Sequence, residues 1–537
     1  MFSQIKKEYK LLFSILVIFL LLRVISWSQV ETLEDHDSVN YLKTAEIIKS
    51  YQWEKLDSRD TFFYPITIGL LNALGIKLET AGRMISFLFN VILFFTIYFL
   101  GKKLTTLNNT FIALLLLTFS PFFISFSFAV LSEPAYISLT YLGILLFLNF
   151  IRRPKLIKVF TLGLIFGLSF SDRTEGIIFL FFIPLLIFLY HFWNKDQNYS
   201  KRKLLSWGGI FIVGFSIITV PIIYFVSSQM GTFSINGRTA WEELLKRDKR
   251  SYEETINSLD FDPAQTNLNY VLSHPTTLKN SDNTGEFFQD IKFIFNNLKV
   301  LLTEKLSSIV GIFILIFSGI GIYQFILCKK IQELLLVLSI MIIALIPPMF
   351  LYSFIDRHIA VVAPILILVA GMGLGEISTK IENLISDKRL LKILKNKIPI
   401  IIVGFTLFFS VSWLNDALRH PSQNSEYNYK FLQKPIKILK NDIEVNNIAF
   451  PKMVARKAYF PFYAGINNIT TPYTDYKHLI KYIKLNHANY LFLEYDHLRN
   501  YPFIRDFDGK KTTDFVLLYS SSENGKNKIA LYRFIGN

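Results

Sequence analysis

Two acidic residues, Asp35 and Asp37, follow the first apolar stretch of the chain. Later stretches are interrupted by Arg83, by Glu133, by Asp172 with Arg173 and Glu175, and by Asp356 with Arg357. A carboxylate near a water interface can act as general base on a hydroxyl when nearby cations keep it ionised. Asp37 is the leading base, with Asp35 in reserve. Arginine presents a planar fork suited to phosphate oxygens, so Arg83, Arg173 and Arg357 could neutralise the charge that develops on a departing phosphate. That chemistry is transfer from a lipid phosphate. Asp35, His36 and Asp37 are metal-ligand types, but three adjacent residues converge poorly from one extended or helical segment. The sequence therefore implies no cofactor, and a divalent metal stays open.

Plainer roles compete at each position. Arginines near the ends of apolar stretches often anchor to lipid headgroups, which is the rival for Arg83 and Arg357. Asp172, Arg173 and Glu175 could form a structural ion pair. Glu133, between Ser132 and Pro134, has the pattern of a helix start and could simply cap the helix that follows. His36 and His358 read as interface polars.

The elements that must position these residues follow from composition. In 537 residues, 52% are hydrophobic, 18% are charged and 52 are Phe, and mean hydropathy is +0.37. That is more apolar surface than a soluble core could bury, so the chain is a polytopic α-helical membrane protein. Eleven apolar segments are long enough to cross a bilayer, near 11–29, 82–100, 109–128, 131–151, 157–172, 175–193, 205–227, 306–328, 332–352, 355–376 and 399–416. The segment 62–76 is too short and Pro-bearing to count. Short Lys/Arg-rich loops stay cytoplasmic. The clusters at Lys6 to Lys10, Lys102/Lys103, Arg152 to Lys155, Lys201 to Lys203, Lys329/Lys330 and Lys388 to Lys397 all fall on one side of these segments. This predicts a multi-pass protein of the inner (plasma) membrane, N-terminus inside, with a first loop (30–81), a long loop (228–305) and the tail outside. It also accounts for much of the net charge of +16 without nucleic acid. The division expected is a transmembrane domain over 1–416, including both loops, and an extracytoplasmic domain over 417–537.

In the tail, Asn447 to Phe450, Tyr490 to Tyr495, Phe515 to Ser520 and Ile529 to Phe534 read as strands, with a helix over Asp475 to Leu485 between them. A small α/β domain follows. The one cysteine, Cys328, excludes a disulfide framework. No phosphate-binding glycine loop suggests an ATP-driven machine.

The order LEDHDSVNYLKTAEII, FYPITIGLLNALG, AGRMISFLFNVILFFTIYFLGKKL, LSEPAY, GLIFGLSFSDRTEG and DRHIAVVAPILILVAGMGLGE resembles membrane glycosyltransferases of the GT-C fold. It is most similar to bacterial relatives of protein O-mannosyltransferases and lipid A aminoarabinose transferases. The resemblance implies an inverting enzyme that takes a sugar from a polyprenyl-phosphate donor in the outer leaflet. The acceptor is a glycan, lipid or protein. It also implies a base at Asp37 with Tyr41 following in a D-x-x-x-Y pattern, Arg173 with Glu175 in an R-x-E-G segment, Arg83 before the second span, and Arg357 with His358 before a Pro-bearing span. An Asp-Glu pair common in relatives is Asp37-Ser38 here, and a double proline is reduced to Pro65. In this reading the long loop, with Trp241, Glu242, Glu243 and the run Lys246 to Arg250, closes over the site.

Two other functions compete. A transporter of lipid or polysaccharide would place polar groups at the bilayer midplane on repeat-related broken helices, whereas these charges sit at segment ends and no repeat is evident. A ligase or polymerase of lipid-linked glycans shares the arginines and the carrier, and stays open as the alternative.

Overall fold

The computed structural model describes residues 2–29, 36–56, 61–193, 200–231, 233–235, 297–349, 356–384, 429–472, 474–498, 501–507, 513–521 and 529–536, with Leu33, Phe295 and Gly404 singly. They divide into two units. The first holds the described residues of 1–30, 44–225 and 286–421, and the second those of 31–43, 226–285 and 422–537. The segment around Asp37 and Tyr41 thus groups with the C-terminal domain, and Leu33 donates its backbone N–H to the Tyr463 hydroxyl at 2.8 Å within that unit.

The first unit is helical. Its elements are α1 (Phe2–Gln29), α2 (His36–Lys49, entered from the second unit), α3 (Phe63–Ala73), α4 (Leu78–Leu104), α5 (Leu107–Phe119), α6 (Pro121–Phe126), α7 (Glu133–Arg152), α8 (Leu156–Asp172), α9 (Ile178–Trp193) and α10 (Lys201–Met230). Then follow α11 (Leu306–Val310), α12 (Ile312–Leu327), α13 (Ile331–Met349), α14 (Asp356–Ile359) and α15 (Ala363–Leu384). Among the described residues five helices are long and apolar enough to cross a membrane, within α1, α4, α7, α10 and Ala360–Leu384, and shorter apolar helices accompany them. Ten of the eleven expected apolar segments are helical. The eleventh, 399–416, lies outside the described residues apart from Gly404.

Two of those segments are broken, and each break has a local cause. The expected span 109–128 stops at Phe119 and restarts as α6. Pro121 has no N–H to return to the Leu117 carbonyl, so the hydrogen-bond ladder ends there. The Leu117 carbonyl keeps only a long bond from the Ser120 N–H, at 3.4 Å, and it and the Thr118 carbonyl are taken by Arg23, which is fully buried on α1. Its Nη1 donates to Thr118 O at 2.7 Å and its Nη2 to Leu117 O at 3.3 Å, while its guanidinium lies 3.5 Å from the Phe19 ring centre. The second break is at Gly311, whose φ of +84° is open to glycine and strained for other residues. The segment 62–76 forms α3, a short helix.

Lipid is as apolar as leucine, so helices in a bilayer associate through close packing rather than through the hydrophobic effect. The α12–α15 contact shows how close. A Cβ on Gly373 would sit 2.1 Å from the Phe317 carbonyl oxygen, and one on Gly321 2.1 Å from that of Val369. Only glycine permits this backbone approach.

The second unit contains an α/β domain: α16 (Tyr429–Val445), β1 (Lys452–Ala455), α17 (Tyr459–Ala464), β2 (Asn467–Thr470), α18 (Tyr476–Leu485), β3 (Tyr490–Glu494), α19 (Tyr495–Leu498), α20 (Ile504–Phe507), β4 (Phe515–Ser521) and β5 (Ile529–Phe534). The sheet order is β2-β1-β3-β5-β4, parallel across the first three strands and antiparallel across the last three. Three expected strands and the helix stand where the sequence puts them. The expected strand Asn447 to Phe450 is corrected: it is the turn after α16, with Asn447 at a φ of +51°, and pairing begins past Pro451. Residues of both sheet faces are buried. Val454, Leu491 and Leu493 pack with Leu479 and Ile483 of α18, while Phe492 stacks on Phe460 of α17 at 4.1 Å.

Candidate functional site

Five of the residues marked in the sequence meet at one end of the first unit. Glu133 is the first residue of α7, followed by Pro134. Pro134 lacks an N–H where the helix has no use for one, which fixes the start of α7 and with it the carboxylate. Asp172 is the last residue of α8, Arg173 caps it, and Glu175 lies in the 3₁₀ turn Thr174–Ile177 that leads to α9. Arg357 lies on α14.

Glu133 Oε1 accepts from Arg173 Nη1 at 2.5 Å, and Arg357 Nε lies 3.4 Å from the same oxygen. On its other side Arg173 donates from Nε and Nη2 to Glu175 Oε1 at 3.2 and 2.7 Å, and its guanidinium carbon lies 5.9 Å from the centre of the Tyr136 ring. The two arginine side chains are 12% and 13% exposed, and that of Glu133 is 2%. One carboxylate oxygen therefore holds two guanidiniums close to each other, an arrangement that like charges would resist without it. Asp172 is buried against this group, in the field of Arg173 and Glu133, with the backbone N–H groups of Tyr64 and Tyr136 turned towards it. The plainer role of Arg173, an ion pair, is thus present in the geometry, whereas no side-chain hydrogen bond caps the start of α7, where Ser132 is the N-cap. The ion pair does not exhaust the geometry, because the pairing extends to a second cation from a distant segment.

Arg83 is also buried. It donates from Nε and Nη2 to Glu79 Oε1 at 3.2 and 2.8 Å, and from Nη1 to the Phe128 carbonyl at 3.4 Å. Beside it, Ser86 Oγ donates to the Ala129 carbonyl at 2.6 Å, and Tyr64 Oη lies 2.7 Å from Ser86 Oγ. This polar seam fixes the loop that enters α7.

In the second unit Asp37 is in the first turn of α2 and partly exposed. Tyr41 is buried one turn on, at the i,i+4 spacing that puts both on one helix face. A helix N-terminus favours a negative charge, which suits a carboxylate that works ionised. Asp35 and the loop residues Trp241, Glu242, Glu243 and Lys246 to Arg250 lie outside the described residues, as does the side chain of His358. No three His, Cys, Asp or Glu among the described residues converge as a metal set would. Arg23 was not marked in the sequence. Its signal was a single charge inside the first apolar run.

A sequence-family profile, dolichyl-phosphate-mannose-protein mannosyltransferase, matches residues 60–225, the stretch that carries Arg83, Glu133, Asp172, Arg173 and Glu175. No sequence among curated proteins matches at a significant level. Solved structures share the fold. The ArnT structure from Cupriavidus metallidurans bound to undecaprenyl phosphate aligns at TM-score 0.57 with 11% identity, over 96% of this chain and 97% of that one. The apo oligosaccharyltransferase of Archaeoglobus fulgidus aligns at 0.55 with 12% identity, over 90% of this chain and 70% of that one. The archaeal oligosaccharyltransferase AglB in complex with an inhibitory peptide and a dolichol-phosphate aligns at 0.54 with 12% identity, over 90% and 69%. The chain thus has the GT-C fold of these structures, and its residues 60–225 match the mannosyltransferase profile.

Proposed function

We propose that the protein transfers a sugar from a polyprenyl-phosphate donor to an acceptor hydroxyl on the extracytoplasmic face of the inner membrane. The observation that carries this reading is the Glu133 carboxylate held between the guanidiniums of Arg173 and Arg357. Two cations preset at one buried point suit a group that becomes more negative during reaction. The acceptor oxygen bonds to the anomeric carbon, the bond from that carbon to the phosphate oxygen breaks, and the lipid phosphate departs with the electron pair. Arg173 and Arg357 receive that charge. Glu175 and Glu133 orient Arg173, and Asp172 adds to their field. Asp37 takes the acceptor proton, supported by Tyr41 and with Asp35 in reserve. Arg83 and His358 complete the donor side. The domain over 417–537 selects the acceptor.

A second reading, transfer of a whole lipid-linked glycan, is supported by the similarity to the two oligosaccharyltransferase structures. Radiolabelled polyprenyl-phosphate sugars, offered as a panel to membranes containing wild-type protein or Asp37→Asn, test the first. Wild type consumes one donor, and the variant, present at equal level in the membrane, consumes none. A variant with normal turnover removes Asp37 from the mechanism. Product mass separates one sugar from a glycan.

A further inference from the structure

Further along α7 from Glu133, towards its C-terminal end, the packing between α7, α9 and α13 leaves a gap. Two adjoining cavities share Phe147, Leu186 and Leu336 as walls. The one that reaches Thr140 and Val361 is small, about 20 Å³, and almost wholly apolar. The other, about 110 Å³, opens at the Lys/Arg-rich end of the unit, where Arg152, Gln332 and Glu333 form its mouth. From Thr140 to Arg152, α7 rises about 18 Å, close to the roughly 15 Å depth of one leaflet of hydrocarbon. Atoms that line an empty gap lose their contacts on one side, so in a bilayer this space favours a lipid chain.

The charges at the mouth select the headgroup. Two of the neighbouring cations are already engaged: Lys102 Nζ is 2.6 Å from Glu8, and Lys158 Nζ donates to the carbonyls of Asn149 and Arg153 at 3.0 and 2.9 Å. Arg152 donates one bond, from Nη2 to the Lys103 carbonyl at 3.2 Å, and the rest of its fork suits a phosphate. Glu333, in the first turn of α13, pairs with no cation among the described residues. A headgroup with a phosphate and no cation would put negative charge beside that carboxylate.

We propose that this groove binds a phospholipid whose headgroup carries both a phosphate and a primary ammonium. The phosphate sits on Arg152, the ammonium on Glu333, and one acyl chain runs along α7 towards Thr140. Such a lipid fills the space beside α13, the helix that precedes the segment bearing Arg357. The site is independent of the proposed reaction, since it involves none of the residues assigned to it.

The test is native mass spectrometry of the purified full-length protein, titrated with phosphatidylethanolamine or with phosphatidylglycerol of the same acyl chains. Wild type takes up the ethanolamine lipid about tenfold more tightly, the effect of one charge-assisted contact. Glu333→Gln, at the groove's mouth, abolishes that preference, and Arg152→Gln weakens both lipids. Equal uptake of the two lipids by wild type overturns the proposal without any variant, as does a Glu333→Gln protein that keeps the preference.

Discussion

Glu133 is buried, and its charge is answered by Arg173 at 2.5 Å and Arg357 at 3.4 Å. Glu133→Gln keeps the shape and removes the charge that Arg173 and Arg357 face. The expected cost is about 3 kcal/mol of stability, the usual consequence of breaking a buried pair. Thermal unfolding of the purified variant in detergent checks it, and a midpoint equal to that of wild type would show that the arginines are held in another way. At this scale the sequence was most informative. Glu133, Arg173 and Arg357 could be read because a charge that interrupts an apolar run stands out. Their convergence could not, since three chain segments had to be folded before one oxygen was seen to serve two cations. Arg23 interrupts an apolar run as well, but its partners are backbone carbonyls, which carry no residue identity, so no second side chain pointed to it.

Elements fail or hold at their ends. The end of α5 depends on Pro121 removing one hydrogen bond and Arg23 supplying others. Arg23→Met strands the Thr118 carbonyl and leaves Leu117 with only the Ser120 N–H at 3.4 Å, and is expected to cost about 1–3 kcal/mol. Pro121→Ala, which restores an N–H for Leu117, should lessen that cost in the double variant, giving non-additive stabilities in a four-member cycle. Simple additivity would argue that Arg23 serves something other than this break. At the start of α18, Asp475 accepts from the His478 backbone N–H at 2.9 Å and lies 2.8 Å from its ring nitrogen. Partial burial would raise the Asp475 pKa, but these bonds outweigh it and hold the carboxyl below its usual range. A lowered carboxylate stabilises the fold above its ordinary pKa, and that contribution is lost as pH falls through the lowered value. Asp475→Ala is expected to weaken α18 by about 1 kcal/mol at neutral pH and to flatten its acid sensitivity. Hydrogen exchange of Tyr476–Leu485 amides in the full-length protein reads both. These ends also mark where the sequence misled. The strand expected at Asn447 to Phe450 had the right residue types but followed a helix closed by Asn447. The polar run Asn467 to Thr470 is a strand because it pairs with β1, a tertiary preference that four residues cannot declare.

For the molecule as a whole, composition alone pointed to the membrane class and the length of the apolar runs to most helix positions. The sheet order was not legible, because pairing is decided across the chain. Orientation rests on the Lys/Arg clusters and has a direct test in the single cysteine. Cys328 is exposed at the Lys-rich end of α12. A membrane-impermeant thiol reagent should leave it unlabelled in intact cells and label it after permeabilisation. A cysteine placed at the exposed Lys437 of α16, in a Cys328→Ser background, should label in both; the reverse pattern would invert the proposed orientation. The cluster at Glu133 also has a consequence in time. Arg173 follows Glu133 by 40 residues, about 2–8 s of synthesis at roughly 5–20 residues per second, whereas Arg357 belongs to a segment made far later. An ionised carboxylate left alone in hydrocarbon is costly, so α7 and α8 should enter the bilayer together, as a hairpin that brings its own counter-ion. Arg357 then arrives at a carboxylate already engaged, and the pair of cations is completed only when nearly all of the helical unit has been made.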